Sequence, residues 1–223
     1  MNCVAMLVEG PTEEQFVKKV LSSYLLKKEI FVEPIIVKTK ITVQQTFKGG
    51  TIKLEKILND IRRLITPKYS LVTTFLDFYG LDKSFLPENY SEDLDPYEKI
   101  KLVEENLYKQ VNNEKFLPYI QLHEFETFLF VDSEVTVNNL LNCRKSQLKS
   151  KIDDILAEFK NNPELVNNSP QTAPSKRIVK MYPGYQKPLV GTFVCQALGI
   201  DEIKNKCRHF SEWLEKLEKI MSS

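Results

Sequence analysis

Apolar residues along this chain fall into two rhythms, and their alternation predicts a parallel sheet with helical crossovers. An unbroken apolar run from Cys3 to Val8 reads as a buried strand that stops at Glu9. Phe16, Val17, Val20, Leu21, Tyr24 and Leu25 then recur at helical spacing, with Thr12 as the expected N-cap and Gln15 completing a capping box. Phe31 to Val37 reads as a second strand, and a polar loop ending in Lys48-Gly49-Gly50 follows it. Leu54, Ile57, Leu58, Ile61, Leu64 and Ile65 mark another helix, closed by Pro67. Leu71 to Leu76 is a β-branched, buried strand that ends at Asp77. Strand–helix–strand–helix–strand is the order of a parallel sheet with right-handed crossovers.

An acidic loop over residues 80–95 leads to a helix from Tyr97 to Val111, with Ile100, Val103, Leu107 and Val111 on one side. Phe116 to Leu122 is a further strand, and it runs into His123-Glu124-Phe125-Glu126. Thr127 to Val131 is apolar enough for either a buried helix start or a strand extension. Beyond it the pattern turns helical: Gln147 to Phe159, then an Asn-, Pro- and Ser-rich loop over 161–174, then short helices near 175–181, 188–198 and 210–221. The expected fold class is therefore α/β, a mostly parallel sheet flanked by helices. The expected division is a core over 1–132 with a helical extension over 133–223 packed on it.

Composition narrows the class. With 42% hydrophobic residues the chain can build a genuine core. A net charge of +1 says nothing about partners, but its distribution does. Seven acids and two lysines lie between Glu88 and Glu105, whereas Leu165 to Ile200 holds no acid and four cations: Lys176, Arg177, Lys180 and Lys187. Cys3, Cys143, Cys195 and Cys207 are scattered, so neither a disulfide framework nor a structural zinc site is expected. The first apolar run is too short for a signal peptide and no segment reaches membrane-span length, which predicts a cytoplasmic protein with no membrane contact.

The candidate chemistry lies where strands stop. Glu9, Glu13, Asp77, Glu124 and Glu126 all fall at or just past strand ends, and in a parallel sheet those ends share one edge. Carboxylates brought that close repel one another unless a cation joins them. Oxygen-only ligands suit Mg²⁺ or Mn²⁺, which can activate water and steady both oxygens of a phosphodiester displacement. Lys176, Arg177, Lys180 and Lys187 are the matching candidates for binding nucleic-acid phosphate. Only one of Glu124 and Glu126 need face the site: an extended backbone aims both the same way, a helical one parts them. His123 reads as a structural hydrogen-bonding residue, and His209 with Trp213 as packing between the extension and the core.

Val8-Glu9-Gly10-Pro11-Thr12-Glu13 and Leu76-Asp77-Phe78-Tyr79-Gly80 resemble the Toprim domain of topoisomerases, primases and OLD-type nucleases. The Glu9-to-Glu13 spacing looks like the OLD-type variant. With His123-Glu124-Phe125-Glu126, Pro174-Ser175-Lys176-Arg177, Pro183-Gly184-Tyr185-Gln186-Lys187, His209-Phe210 and Trp213, the chain resembles a bacterial Toprim-like family, a domain of unknown function, along nearly its whole length. The resemblance implies metal-dependent cleavage of nucleic acid, DNA ahead of RNA, in defence against phage and beside an ATPase partner. It implies Glu9 as metal ligand or general base, Glu13, Asp77 and Glu126 as further ligands, and Lys176 or Lys187 as the catalytic lysine at the scissile phosphate. One residue departs from the pattern: Tyr79 stands where Toprim domains carry a second acid. Either Glu124 or Glu126 then supplies the missing charge, or one metal ion suffices, or catalysis is lost and the chain is a binding subunit.

Overall fold

The computed structural model describes residues 2–37, 52–140, 144–167 and 169–222. The expected Gly49-Gly50 loop and Cys143 lie outside them. Five parallel strands form the sheet: β1 (Asn2–Val8), β2 (Ile30–Ile36), β3 (Leu71–Asp77), β4 (Phe116–Leu117) and β5 (Ile120–Gln121). Their order is β2-β1-β3-β4, with β5 also pairing along β3. All seven residues of β3 are buried, as a central strand covered on both faces requires. β2 is an edge strand of mixed exposure, and there Pro34 is tolerated because its missing N–H leaves no interior ladder incomplete.

The strand expected over 116–122 is interrupted at Pro118 and Tyr119. The buried Thr74 hydroxyl mends the gap, accepting from the Tyr119 N–H and donating to its carbonyl, both at 2.9 Å. The first helix also begins differently from expectation. Gly10, not Thr12, is the N-cap, and Pro11 occupies the first position of α1 (Pro11–Phe16). Proline's fixed φ and absent N–H suit that position, so it moves the start ahead of the threonine, which is itself buried. The helix continues through a π-helical turn, Val17–Leu21, into α2 (Ser22–Leu26).

Each sheet face has its own core. On one, Ala5, Leu7, Val72, Leu76 and Ile120 meet Ile57, Leu58 and Ile61 of α3 (Leu54–Leu64) and Ile100, Val103 and Leu107 of α4 (Pro96–Val111). On the other, Val4, Met6, Val8 and Phe75 meet Phe16, Val17 and Leu21 and a group of later elements. Those are α5 (Ser133–Asn138), α6 (Lys145–Glu158), α7 (Pro174–Met181), α8 (Thr192–Lys206) and α9 (Arg208–Ser222). Phe16, Phe75, Phe128, Phe210, Tyr119 and Trp213 form a continuous aromatic stack here, with Trp213 lying 4.4 Å from the Tyr119 ring centroid. Burying each such ring contributes roughly 1.5–3 kcal/mol, so the C-terminal helices are stitched to the sheet by its largest side chains. The helix stops at Leu198 as expected, where Gly199 (φ +76°) takes a non-helical conformation that glycine adopts at little cost, and a second helical segment of α8 continues to Lys206.

Among the described residues no helix is long and apolar enough to cross a membrane. Cys3, Cys195 and Cys207 are free thiols.

Candidate active site

β1 and β3 run side by side with Val8 opposite Phe75, so the residues that follow them leave the sheet at one edge. Glu9 is the first residue past β1, and Asp77 is the last of β3. The chain turns at Gly10, whose N–H donates to Glu13 Oε2 at 3.0 Å. That bond holds the Glu13 carboxylate back over the N-terminus of α1, where the helix dipole favours negative charge. β5 pairs Gln121 with Asp77, and the chain then reverses through His123 (φ +62°) into a 3-10 turn, Phe125–Phe130, that buries Glu126 completely.

A lysine enters from the far end of the sequence. Lys187 opens a π-helical turn, Lys187–Gly191, that feeds α8. Its Nζ lies 3.2 Å from Asp77 Oδ2, 3.2 Å from Glu126 Oε2 and 3.7 Å from Glu13 Oε1. Tyr185, two residues earlier, donates its hydroxyl to Glu126 Oε1 at 3.2 Å. The acid side chains are 4%, 7% and 0% exposed for Glu13, Asp77 and Glu126, against 37% for Lys187. The carboxylates are therefore shut away from solvent, whereas part of the lysine side chain is exposed.

One ammonium does not balance these acids. Burial, then the neighbouring Glu13 charge, pushes Glu9 up to about 7, only partly offset by Lys187. Burial likewise holds Asp77 well above the usual carboxylate range and raises Glu126. Burial opposes the charge on Lys187, but Asp77, Glu126 and Glu13 outweigh it and keep the ammonium protonated. Two buried carboxylate oxygens, Glu9 Oε2 and Asp77 Oδ1, have no hydrogen-bond partner among the described residues, and Glu126 Oε2 meets the Lys187 ammonium at 3.2 Å. As they stand, no three or more His, Cys, Asp or Glu side chains among those residues are disposed to hold a metal ion. The place between the acids is taken by Lys187.

The remaining expected residues go elsewhere. Glu124 and Glu126 part company, as a helical turn dictates: Glu124 Oε2 accepts from the Ser175 N–H at 2.8 Å, at the start of α7. Arg177 donates through Nε to the Thr172 carbonyl at 2.8 Å and lies over the Phe159 ring, so it is engaged structurally. Lys176 and Lys180 are exposed on α7, and no ion pair joins them to the acids among the described residues. The Tyr79 hydroxyl is bonded to the Asn167 side chain. His123 is buried, with its pKa lowered to about 4 by burial and by Lys99. His209 hydrogen-bonds Glu104 at 3.0 Å and stacks on Tyr119, and Trp213 Nε1 donates to Thr73 at 3.0 Å; both pack the C-terminal helices against the sheet.

Two residues of the motifs quoted above have a part here that the sequence does not assign them. A methyl group on Gly80 would stand 2.9 Å from Glu9 Cδ, so a larger residue there would push the carboxylate out of its place. Its signal was a glycine three residues beyond a strand-end acid. Tyr185 orients Glu126; it belongs to the Pro183-to-Lys187 motif, but nothing in the local spacing gives it that task.

Among curated proteins no match is found. Two solved structures are similar over almost all of their length and this one's. The C-terminal region of the Burkholderia pseudomallei OLD protein is 12% identical, with 99% of each chain covered and a TM-score of 0.49. The C-terminal region of the Xanthomonas campestris pv. campestris OLD protein is 15% identical, with 98% of this chain and 96% of that one covered and a TM-score of 0.44. The family model described as domain of unknown function (DUF4276) matches residues 8–218, and the chain belongs to that family.

Proposed function

We propose that this protein is a Toprim-like phosphodiesterase that cleaves nucleic acid, DNA ahead of RNA, with Mg²⁺ or Mn²⁺. One observation carries the reading: carboxylates from three separate segments converge at the strand ends around one lysine, with one oxygen each of Glu9 and Asp77 left unpaired. A structural acid would have those oxygens satisfied. An all-oxygen donor set fits a hard divalent cation, and Glu9, Asp77 and Glu126 would hold it, with Glu13 beside them. When bound, such a cation lowers the pKa of a water and polarises a phosphoryl oxygen.

The protein's own groups do the rest. Gly10 and Tyr185 fix Glu13 and Glu126 through hydrogen bonds. Glu9, ionised when a cation is present, is placed at the strand end to take a proton from an attacking water. Lys187 neutralises the cluster while no other cation is present. Its partial exposure lets it withdraw and meet a phosphate oxygen, which makes it the favoured catalytic lysine over Lys176. Glu126 supplies the charge that Tyr79 does not. An ATPase partner and a role in phage defence belong to the same proposal and rest on the family resemblance alone.

With plasmid and Mn²⁺, Glu9→Ala and Asp77→Ala each reduce nicking about a thousandfold, equivalent to roughly 4 kcal/mol of barrier. Equal residual nicking by wild type and both variants overturns the proposal. Tyr79 and the Lys187 ammonium amid the acids favour a second reading, a non-catalytic nucleic-acid-binding subunit. Calorimetry separates the two: DNA binding without any Mg²⁺ or Mn²⁺ uptake at millimolar concentration selects the subunit.

A further inference from the structure

A cleft of about 410 Å³ lies between α6 and α7, and three lysines line it: Lys151 on α6 and Lys176 and Lys180 on α7. All three are exposed. Lys176 and Lys180 stand one helical turn apart, a spacing at which like charges repel. Lys149, also on α6, is paired with Asp153 at 2.7 Å. None of the three cleft lysines has such a partner among the described residues, where the only acid in the cleft wall is Asp154.

Arg177 belongs to the same wall but is already engaged. Its Nε donates to the Thr172 carbonyl at 2.8 Å, its guanidinium lies 5.3 Å from the Phe159 ring centroid, and Nη1 is 4.0 Å from Glu158 Oε2. It braces the cleft and leaves the lysines as the charges that can meet a ligand. Positive charge concentrated in one concave place attracts an anion. Spread over two helices and open to water, these charges suit a polyanion that crosses them all better than one small anion held at a point.

We infer that the cleft between α6 and α7 is a track for the phosphate backbone of the nucleic acid, flanking the bond to be cut and gripping the strand without regard to sequence. The inference rests on the nucleic-acid reading above and adds where the rest of the strand lies. One hydrogen bond ties the track to the acids: the Ser175 N–H, at the start of α7, donates to Glu124 Oε2 at 2.8 Å. Glu124 stands two residues before Glu126, and Ser175 one before Lys176. A strand with a phosphate at the acids therefore has neighbouring phosphates within reach of α7. Lys187, among the acids, serves the reacting phosphate, and Lys151, Lys176 and Lys180 supply affinity. Lys151 lies outside the acid-free stretch that marked the other cations, and only the fold brings it to them.

The test measures binding of the whole protein to two fluorescein-labelled DNA duplexes of unrelated sequence, without divalent metal, from about 50 to 200 mM KCl. Each phosphate contact adds about 0.9 to the slope of log affinity against log salt. Lys151→Gln, Lys176→Gln and Lys180→Gln should each lower that slope by about 0.9, equally on both duplexes, and the triple variant by about 2.7. Lys109→Gln, on α4 at the opposite sheet face, should leave it unchanged. No wild-type affinity for either duplex, a triple variant with the wild-type slope, or binding to phosphatidylserine vesicles but not to DNA overturns the track. Plasmid nicking that persists beside an unchanged slope leaves the nuclease reading standing. Lysine-dependent binding without nicking removes the nuclease reading and leaves the track.

Discussion

Two sets of buried glutamates in this protein look alike in the sequence and behave oppositely in the fold. Glu164 is fully buried, and both its oxygens are used. Oε2 accepts from the His209 N–H and the Tyr97 hydroxyl, each at 3.0 Å, and Oε1 accepts from the Phe210 N–H at 3.1 Å. It caps α9, and although burial raises its pKa, those amide donors pull against the rise. At the strand ends Glu126 is buried and Glu9 half-buried; Glu9 Oε2 faces no donor among the described residues, and Glu126 shares a single ammonium with Asp77 and Glu13. Burial alone is therefore not the mark of a functional acid. What separates a brace from a reactive site is whether the buried oxygens are satisfied by the protein itself.

The comparison can be broken most sharply by stability. Glu164→Ala leaves three donors without their acceptor and should cost about 3 kcal/mol or more in urea unfolding. Metal should make no difference to that loss. Asp77→Asn, measured without metal, should change stability by less than about 1 kcal/mol, because it relieves buried like charge while Lys187 keeps Glu13 and Glu126. Comparable losses in the two variants would erase the distinction.

Proton linkage sharpens it next. Glu9 binds its proton up to about pH 7 in the folded protein, against an ordinary value of 4.5. The metal-free folded state thus holds more protons than the unfolded chain between those values, and this group's contribution to stability falls as pH rises through the window. A cation needs the ionised form, so Mn²⁺ affinity should climb by at least about tenfold per pH unit below 7 and level off above it. Affinity that stays flat from pH 5.5 to 8 in calorimetry would contradict the assignment of Glu9 to the cation.

The smallest effect concerns the internal ammonium. Lys187→Met removes a competitor for the acids, so Mn²⁺ should bind a few-fold tighter while plasmid nicking at saturating metal falls. Weaker metal binding in that variant would make Lys187 a support for the site rather than its occupant.

The strand ends were legible because a parallel sheet converts a sequence pattern into a place: Glu9 and Asp77 follow continuous apolar runs and had to emerge at one edge. The helix start was misread by two residues because Pro11 fits the first helical position better than Thr12 fits the cap. The strand before His123 is interrupted because Pro118 cannot donate to a ladder, a signal that the apolar run around it masks in the sequence.

Local spacing and burial encode most of the elements, the alternation that makes the sheet parallel and the identity of the acids at its edge. Only the tertiary structure decided that Glu126 and not Glu124 joins them, that Lys187 and not Lys176 stands between them, and that Gly80 makes room for Glu9. Each of those outcomes depends on which way a chain turns after it leaves the sheet and on what packs against it from scores of residues away, and no local spacing encodes that.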